Sequence, residues 1–465
     1  MRNAKQLTIP IALATCHALP SIALAQLAPC ETQRLVPPVL SDWGEFGGHV
    51  EMNGRHMIVA DWRDGALAVP AGSYLHGGVQ AYQLNDASGQ WELIQTIYPA
   101  DIDAGHLFGY HIDLDGDRLI VGGTGSDLGG SNAGAAYVFD FDGAQWVETG
   151  VLLPSEPEAG GGFGERVAIS GGFAAVTQSG AVYAYEQVGR AWNFVQRLDT
   201  ATPPGTGTGY GVGLAIDGEW IVVGEPLNGE VVVQGGAAYA YRRDGEGVYA
   251  LEQVLRPEGT PDRIQMFFGE SLDLDSSRLV AGAPRDSRGA IYVLVIGDGT
   301  WELEQRLAYM GPDTSTHLGN CVHLHSDFIA AGASFEDPFG TGAGYTYRRS
   351  PDGMWQQVLR SAAATPTAGF GDGAATNGRF SAFGASNEWV LGTERDPLGA
   401  VHVYDLSCAI CAPDLDADGA LTVFDFLLFL NLFQDANPIA DFDGDGELTI
   451  FDFLAFQTAF AAGCG

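Results

Sequence analysis

Two twelve-residue stretches near the C-terminus space their carboxylates as a chelating loop does. They run from Asp414 to Asp425 and from Asp441 to Asp452. Each has Asp at positions 1, 3, 5 and 12, Gly at 6 and Thr at 9. Calcium takes about six to eight oxygen ligands, and a loop of this length presents them at its odd positions and its last residue. Gly419 and Gly446 allow the sharp turn that wraps the early ligands round one ion. The expected ligands of the first loop are Asp414, Asp416, Asp418, the Ala420 carbonyl, Thr422 and Asp425. Those of the second are Asp441, Asp443, Asp445, the Glu447 carbonyl, Thr449 and Asp452. The expectation is two Ca2+ ions, against the alternative of two acidic surface turns.

Such loops need elements that hold them. Each runs through Leu-Thr-[Val/Ile]-Phe-Asp-Phe-Leu into an apolar stretch of helical length. Cys411-Ala-Pro413 leads straight into the first loop, so no helix precedes it. The last ligand is Asp where the common EF-hand has Glu. This duplicated loop-plus-helix, with Ala461-Ala-Gly463-Cys464-Gly465 at its end, resembles the GC-type dockerins of secreted bacterial proteins. The resemblance covers residues 408–465 and implies a calcium-dependent docking module for a cohesin-like or cell-envelope partner. Partner contacts in that family centre on loop positions 10 and 11. Here these are Val423-Phe424 and Ile450-Phe451, apolar where most dockerins are polar. They are either contact residues or a buried aromatic pair.

The chain has 465 residues, 65 of them Gly, and only 22 Lys and Arg. That composition favours a turn-rich, mainly β protein. A formal charge of −36 argues against a nucleic-acid partner, whose phosphates need basic patches. Arg2 and Lys5, the apolar run to Leu24 and Ala23-Leu24-Ala25 read as a signal peptide over residues 1–25, and so as a secreted or cell-surface protein. No later run is long enough for a membrane span. An exported chain can keep disulfides. Cys411 and Cys464 bracket the tail and are expected to pair, leaving Cys321 as a small buried thiol.

Between residues 43 and 404 one unit recurs seven times. It opens at Phe46-Gly47, Phe108-Gly109, Phe163-Gly164, Tyr210-Gly211, Phe268-Gly269, Leu318-Gly319 and Phe370-Gly371. An apolar strand follows, then a variable Gly-rich loop, a Gly-Ala-x-Tyr strand such as Gly289-Ala-Ile-Tyr292, and a Trp strand such as Trp301 to Gln305. Four short strands per 47–62 residues match a propeller blade. The units resemble the FG-GAP repeats of integrin alpha subunits, over residues 31–407. The expected architecture is mainly β: a seven-bladed β-propeller over residues 26–407, then a small α-helical dockerin or EF-hand-like domain over 408–465.

The seventh unit lacks its Trp strand, and residues 30–35 supply the match, Gln33-Arg34-Leu35 paralleling Gln305-Arg306-Leu307. The N-terminal strand should therefore close the ring. Aligning Gly399 with Gly289 sets Cys408 beside Cys30, which predicts a disulfide at the seam. Cys30–Cys411 with Cys408–Cys464 is the competing pairing.

Integrin-type repeats often hold calcium after the second strand, but the matching loops here, such as Pro284-Arg-Asp286 and Ser334-Phe-Glu336, lack alternating acids. The strand after each Phe-Gly should be innermost, with its third and fifth residues facing the axis. These include His49, Glu51, His111, Asp113, Arg166, Ser271, Asp273, Cys321 and His323. A solvated channel wall is the plain expectation; alternation of Cys321, His323 and His325 also suits a transition metal. No hydrolase or phosphate-loop motif occurs. The favoured function is a non-enzymatic exported binding protein whose propeller recognises an unknown ligand. The alternatives are a secreted hydrolase or lyase acting on an extracellular polymer from the propeller funnel, and a structural protein that self-associates through Phe424, Phe426, Phe451 and Phe453.

Overall fold

The computed structural model describes residues 31–38, 45–63, 76–102, 105–199, 209–229, 234–257, 265–275, 277–309, 316–336, 341–362, 369–388, 398–409, 415, 421–434, 440, 442 and 448–462. Twenty-eight strands among them form seven four-stranded sheets. In six sheets the strands follow chain order, as in Val50–Asn53, His56–Asp61, Gly78–Asn85 and Gln90–Ile97. The first strands of neighbouring sheets pack on one another all the way round, so the sheets close into a seven-bladed propeller.

The seventh sheet is composite. Glu31–Leu35 lies antiparallel to Ala400–Asp405, with Gln33 opposite Val403 and Leu35 opposite Val401. Gln305 stands opposite Val293 in the fifth blade, so the ring closes in the register expected from the repeat. The strand stops at Asp405, and a helical turn, Leu406–Ala409, follows. Cys408 sits in that turn rather than on an extended hairpin. Cys30, Cys411, Cys464 and residues 1–25 lie outside the described residues, and with them the signal peptide and each expected disulfide. Cys321 is a free thiol.

The core lies between blades. One cluster joins Trp220 and Val222 of the fourth blade to Leu272, Leu279 and Trp301 of the fifth. Middle strands are covered on both faces, which is why Met57-Ile-Val-Ala60 is continuously apolar and fully buried. The outer strand Ala191–Asp199 has a neighbour on one side only and is largely exposed.

The Phe-Gly signature has a mechanical cause. Phe46 is fully buried and forms an isolated parallel bridge with Gly399. A Cβ on Gly399 would lie 2.1 Å from the Phe46 carbonyl oxygen, and its φ is +83°. Only glycine tolerates both. The same bridge recurs between Gly134 and Phe163, Gly236 and Phe268, Gly289 and Leu318, and Gly342 and Phe370.

A side-chain clasp adds to this contact. Gln95 Nε2 donates to the Trp146 carbonyl at 3.0 Å, and its Oε1 accepts the Trp146 N–H at 2.8 Å. Gln196 with Tyr249, Gln253 with Trp301 and Gln305 with Trp355 repeat it.

The tail contains helices Val423–Gln434 and Ile450–Ala462. Phe429 and Phe456, equivalent in the two repeats, are fully buried and stacked 4.1 Å apart at 9°. None of the described helices is long and apolar enough to cross a membrane.

Candidate functional site

Of the expected calcium ligands, Thr422, Asp425, Thr449 and Asp452 are described; Asp414, Asp416, Asp418, Ala420, Asp441, Asp443, Asp445 and Glu447 lie outside the described residues. Asp425 and Asp452 are fully buried. Asp425 Oδ1 accepts the Leu415 N–H at 2.8 Å and its Oδ2 the Thr422 N–H at 2.7 Å. Asp452 does the same with Phe442 at 2.8 Å and Thr449 at 2.6 Å. Each last-position carboxylate thus draws the loop's second and ninth residues to the head of its helix. Thr422 and Thr449 Oγ1 accept the N–H two residues on, at 3.1 Å each, as helix N-caps do. The Thr422 hydroxyl also reaches Asp425 Oδ2, at 3.4 Å. These residues fit a calcium loop.

Loop positions 10 and 11 face outward. Phe424 is 65% exposed and Phe451 63%, so they are no buried pair. Phe426 and Phe453 instead pack edge to face, 6.1 Å apart, against the tail core. Both remain half-buried.

At the propeller axis the innermost strands enclose a cavity of about 310 Å³. All the expected axial residues line it, from His49 and Glu51 to Cys321 and His323. They form two belts. Glu51, Asp113, Asp273 and His323 stand opposite Ile58, Ile120, Val280 and Ala330, the same position in each blade. Two residues earlier come His49, His111, Arg166, Ser271 and Cys321.

The acidic belt is held by the backbone of the following blades. Asp113 accepts the Ile169 N–H at 2.6 Å and Asp273 the Leu324 N–H at 2.5 Å. Asp115 and Asp275 likewise accept from Gly171 and Ser326, at 2.6 Å each. The alternating acids of Asp113-Leu-Asp115 therefore latch blades together. Burial, with Glu51 nearby, pushes the Asp113 carboxyl well above the usual range, and burial pushes Asp273 up to about 6. Burial alone would lower His323, but the hydrogen bond and charge of Glu51, 3.2 Å away, hold it up to about 9. In the other belt burial, helped by the Arg166 charge, lowers His49 to about 3 and His111 well below its ordinary value. The Cys321 thiol donates to the Gly371 carbonyl.

A third set of acids escaped sequence reasoning. Asp286 accepts from the Tyr292 hydroxyl at 2.7 Å and pairs with Arg306 at 2.7 Å. Glu336 accepts from Tyr345 and pairs with Arg360, both at 2.5 Å. Glu388 lies between His402 at 2.6 Å and Arg34 at 2.6 Å. Each acid follows the second strand of its blade and ties the third and fourth strands together. For Asp286 and Glu336 the signal was present as Tyr on one strand and Arg on the next, and for Glu388 as His402 and Arg34, but single acids gave no reason to join them.

The FG-GAP repeat family model matches residues 91–139, which span the outer strand of the first blade and most of the second. No curated protein matches the chain. A solved protein structure from Lactobacillus plantarum is similar at 14% identity, covering 68% of this chain and 84% of that one, with a TM-score of 0.44. Blades and repeat together make the chain a seven-bladed β-propeller with a stretch matching the FG-GAP repeat.

Proposed function

We propose that the chain is an exported, non-enzymatic binding protein: its propeller recognises a ligand, and its tail docks it to a cohesin-like or cell-envelope protein when calcium is bound. The observation that carries this is the outward pair Phe424 and Phe451, presented identically by two repeated loops. Large apolar side chains left in water beside a folded core mark contact surfaces. The buried Asp425 and Asp452 support the calcium dependence, since both carboxylates already close their loops. Calcium would supply the charge that offsets ten acids between Cys408 and Gly465, where no Lys or Arg occurs.

The test is capture from the native envelope and secretome with the full chain as bait, in calcium and in chelator, beside a Phe424→Asp, Phe451→Asp double variant. A partner retained only by the unmodified chain in calcium supports docking. A partner held equally by the double variant, or no partner at all, removes this role from the tail. The rival reading, a hydrolase or lyase, rests on the raised Asp113 and Asp273 beside His323 in the cavity. It requires turnover of an extracellular polymer that His323→Gln abolishes.

A further inference from the structure

In six repeats the residue before the buried opening side chain has a positive φ, between 55° and 74°: Leu107, Gly162, Gly209, Phe267, His317 and Gly369. Glycine suits that conformation, and an L side chain there is disfavoured. Phe267 and His317 nevertheless place large side chains at this position in neighbouring blades, the fifth and sixth. Both are only half-buried and take no part in the clusters between blades.

Each side chain meets the loop that follows the second strand of its own blade. Arg285 Cζ lies 4.5 Å from the centre of the Phe267 ring. The His317 and Phe335 ring centroids are 4.6 Å apart, tilted at 51°. Arg285 and Phe335 hold equivalent places, just past the strands that end at Ala283 and Ala333. Their N–H groups donate to the Met266 and Thr316 carbonyls, at 3.3 Å each, which fixes both pairs. The Thr316 N–H donates to the Arg288 carbonyl at 3.2 Å and ties the two blades together there. Burial, and then the Arg285 charge, lowers His317 from its ordinary value, so the two pairs adjoin and His317 stands neutral at pH 7.

The result is a strip of Phe267, Arg285, His317 and Phe335 across blades five and six. Phe335 is 57% exposed, and Arg285 is exposed too. Among the described residues Arg285 forms no ion pair; Glu270 feels its charge only at longer range. A guanidinium lying on an aromatic face keeps its fork free for a carboxylate. Exposed aromatic rings beside an Arg are the composition of interface centres. We propose that this strip binds an extended segment of a partner protein in which a carboxylate side chain lies between apolar ones. The carboxylate meets Arg285, and the apolar side chains meet Phe267 and Phe335. Charge selects the acid, since Arg285 stands unpaired on a chain of formal charge −36. The lining disfavours a sugar, whose hydroxyls each need a hydrogen-bond partner where the strip offers only Arg285 and His317. The inference rests on the propeller being the part that recognises a ligand, and names the class of that ligand.

The test is selection of random short peptides displayed on phage, with the full chain as bait, followed by titration of the enriched peptides by fluorescence anisotropy. Enriched sequences should carry Asp or Glu between aliphatic or aromatic residues, and lose about tenfold in affinity when that acid becomes its amide. Arg285→Glu and Phe335→Ser should each weaken binding by about tenfold or more, and both change exposed side chains, so the fold is kept. Phe267→Gly should weaken it too while suiting the backbone conformation better, an outcome that a merely structural Phe267 would not give. The Phe424→Asp, Phe451→Asp variant should bind the peptides as the unmodified chain does, so failure here leaves docking by the tail standing, and the reverse. Three results overturn the proposal: no sequence enriched; enriched peptides that lack an acid or bind the strip variants equally well; and polygalacturonate, rather than any peptide, bound in a way that Arg285→Glu abolishes.

Discussion

Gln33 and Trp91 join the two ends of the propeller. Gln33 Nε2 donates to the Trp91 carbonyl at 2.9 Å, and its Oε1 accepts the Trp91 N–H at 2.8 Å. This is the clasp seen at four other blade interfaces, made here by the N-terminal strand standing in as the fourth strand of the seventh blade. The seam therefore uses the same contact as the rest of the ring.

Replacing Gln33 with Leu leaves the Trp91 N–H and carbonyl without this partner. The expected loss is about 1–3 kcal/mol. It should be accompanied by early proteolysis within residues 31–35. Gln305→Leu should cost a similar amount without exposing the N-terminus. Denaturant titration with limited proteolysis checks both, and an unchanged N-terminal strand in Gln33→Leu would remove its role at the seam.

Gly399→Ala should be among the most damaging single changes in the chain. The new Cβ meets the Phe46 carbonyl oxygen at 2.1 Å, and φ is +83°. A loss above about 3 kcal/mol is expected. Gly89→Ala makes the control: φ is +68° with nothing within 4 Å, so only the conformational cost of about 1 kcal/mol remains. Equal losses in the two variants would refute the close-approach argument.

His402 gives the seam a pH dependence. It contacts Glu31 at 2.8 Å and Glu388 at 2.6 Å. Burial opposes its charge, but these two carboxylates outweigh burial and hold it up to about 9, against an ordinary 6.5. A raised histidine stabilises the fold fully below 6.5 and loses that contribution as pH rises through about 9. Burial would raise Glu388, but its bonds to His402 and Arg34 outweigh that and lower it from the usual 4.5, so its contribution is present above 4.5 and fades as pH falls through the lowered value. Stability should be highest between pH 4.5 and 6.5 and decline towards 9. His323, held up to about 9 by Glu51, adds to the same decline. His402→Gln should flatten part of it; a midpoint with the same pH profile as the unmodified chain would contradict this.

Hydrogen exchange on the full chain tests the tail. Chelation should reduce protection in Val423–Gln434 and Ile450–Ala462 while the blades stay protected. Asp452→Asn should remove the calcium response of the second helix. It also weakens the bonds to the Phe442 and Thr449 N–H groups, at about 1–2 kcal/mol. Identical protection in calcium and chelator would mean that the tail folds without the ion.

The fold was legible in the sequence to an unusual depth, because a propeller repeats one local rule. Phe-Gly, Gly-Ala-x-Tyr and the Trp strand recur at short range, and two-residue alternation told which side chains face the axis. Even the seam register followed, from Gln33 matching Gln305 and Gly399 matching Gly289. What tertiary structure alone decided is how side chains of like type divide. Phe424 points outward while Phe426, two residues on, enters the tail core. Asp113 is held towards its neutral form by burial, and Asp286 is consumed by Arg306. Arg166 ends at the axis with its guanidinium on the Val212 and Glu165 carbonyls. The tail outcome depends on the packing of two helices, and the propeller outcomes on strands that are distant in sequence and on water excluded between blades. Burial and charge are sums over that whole surrounding, so no local spacing encodes them.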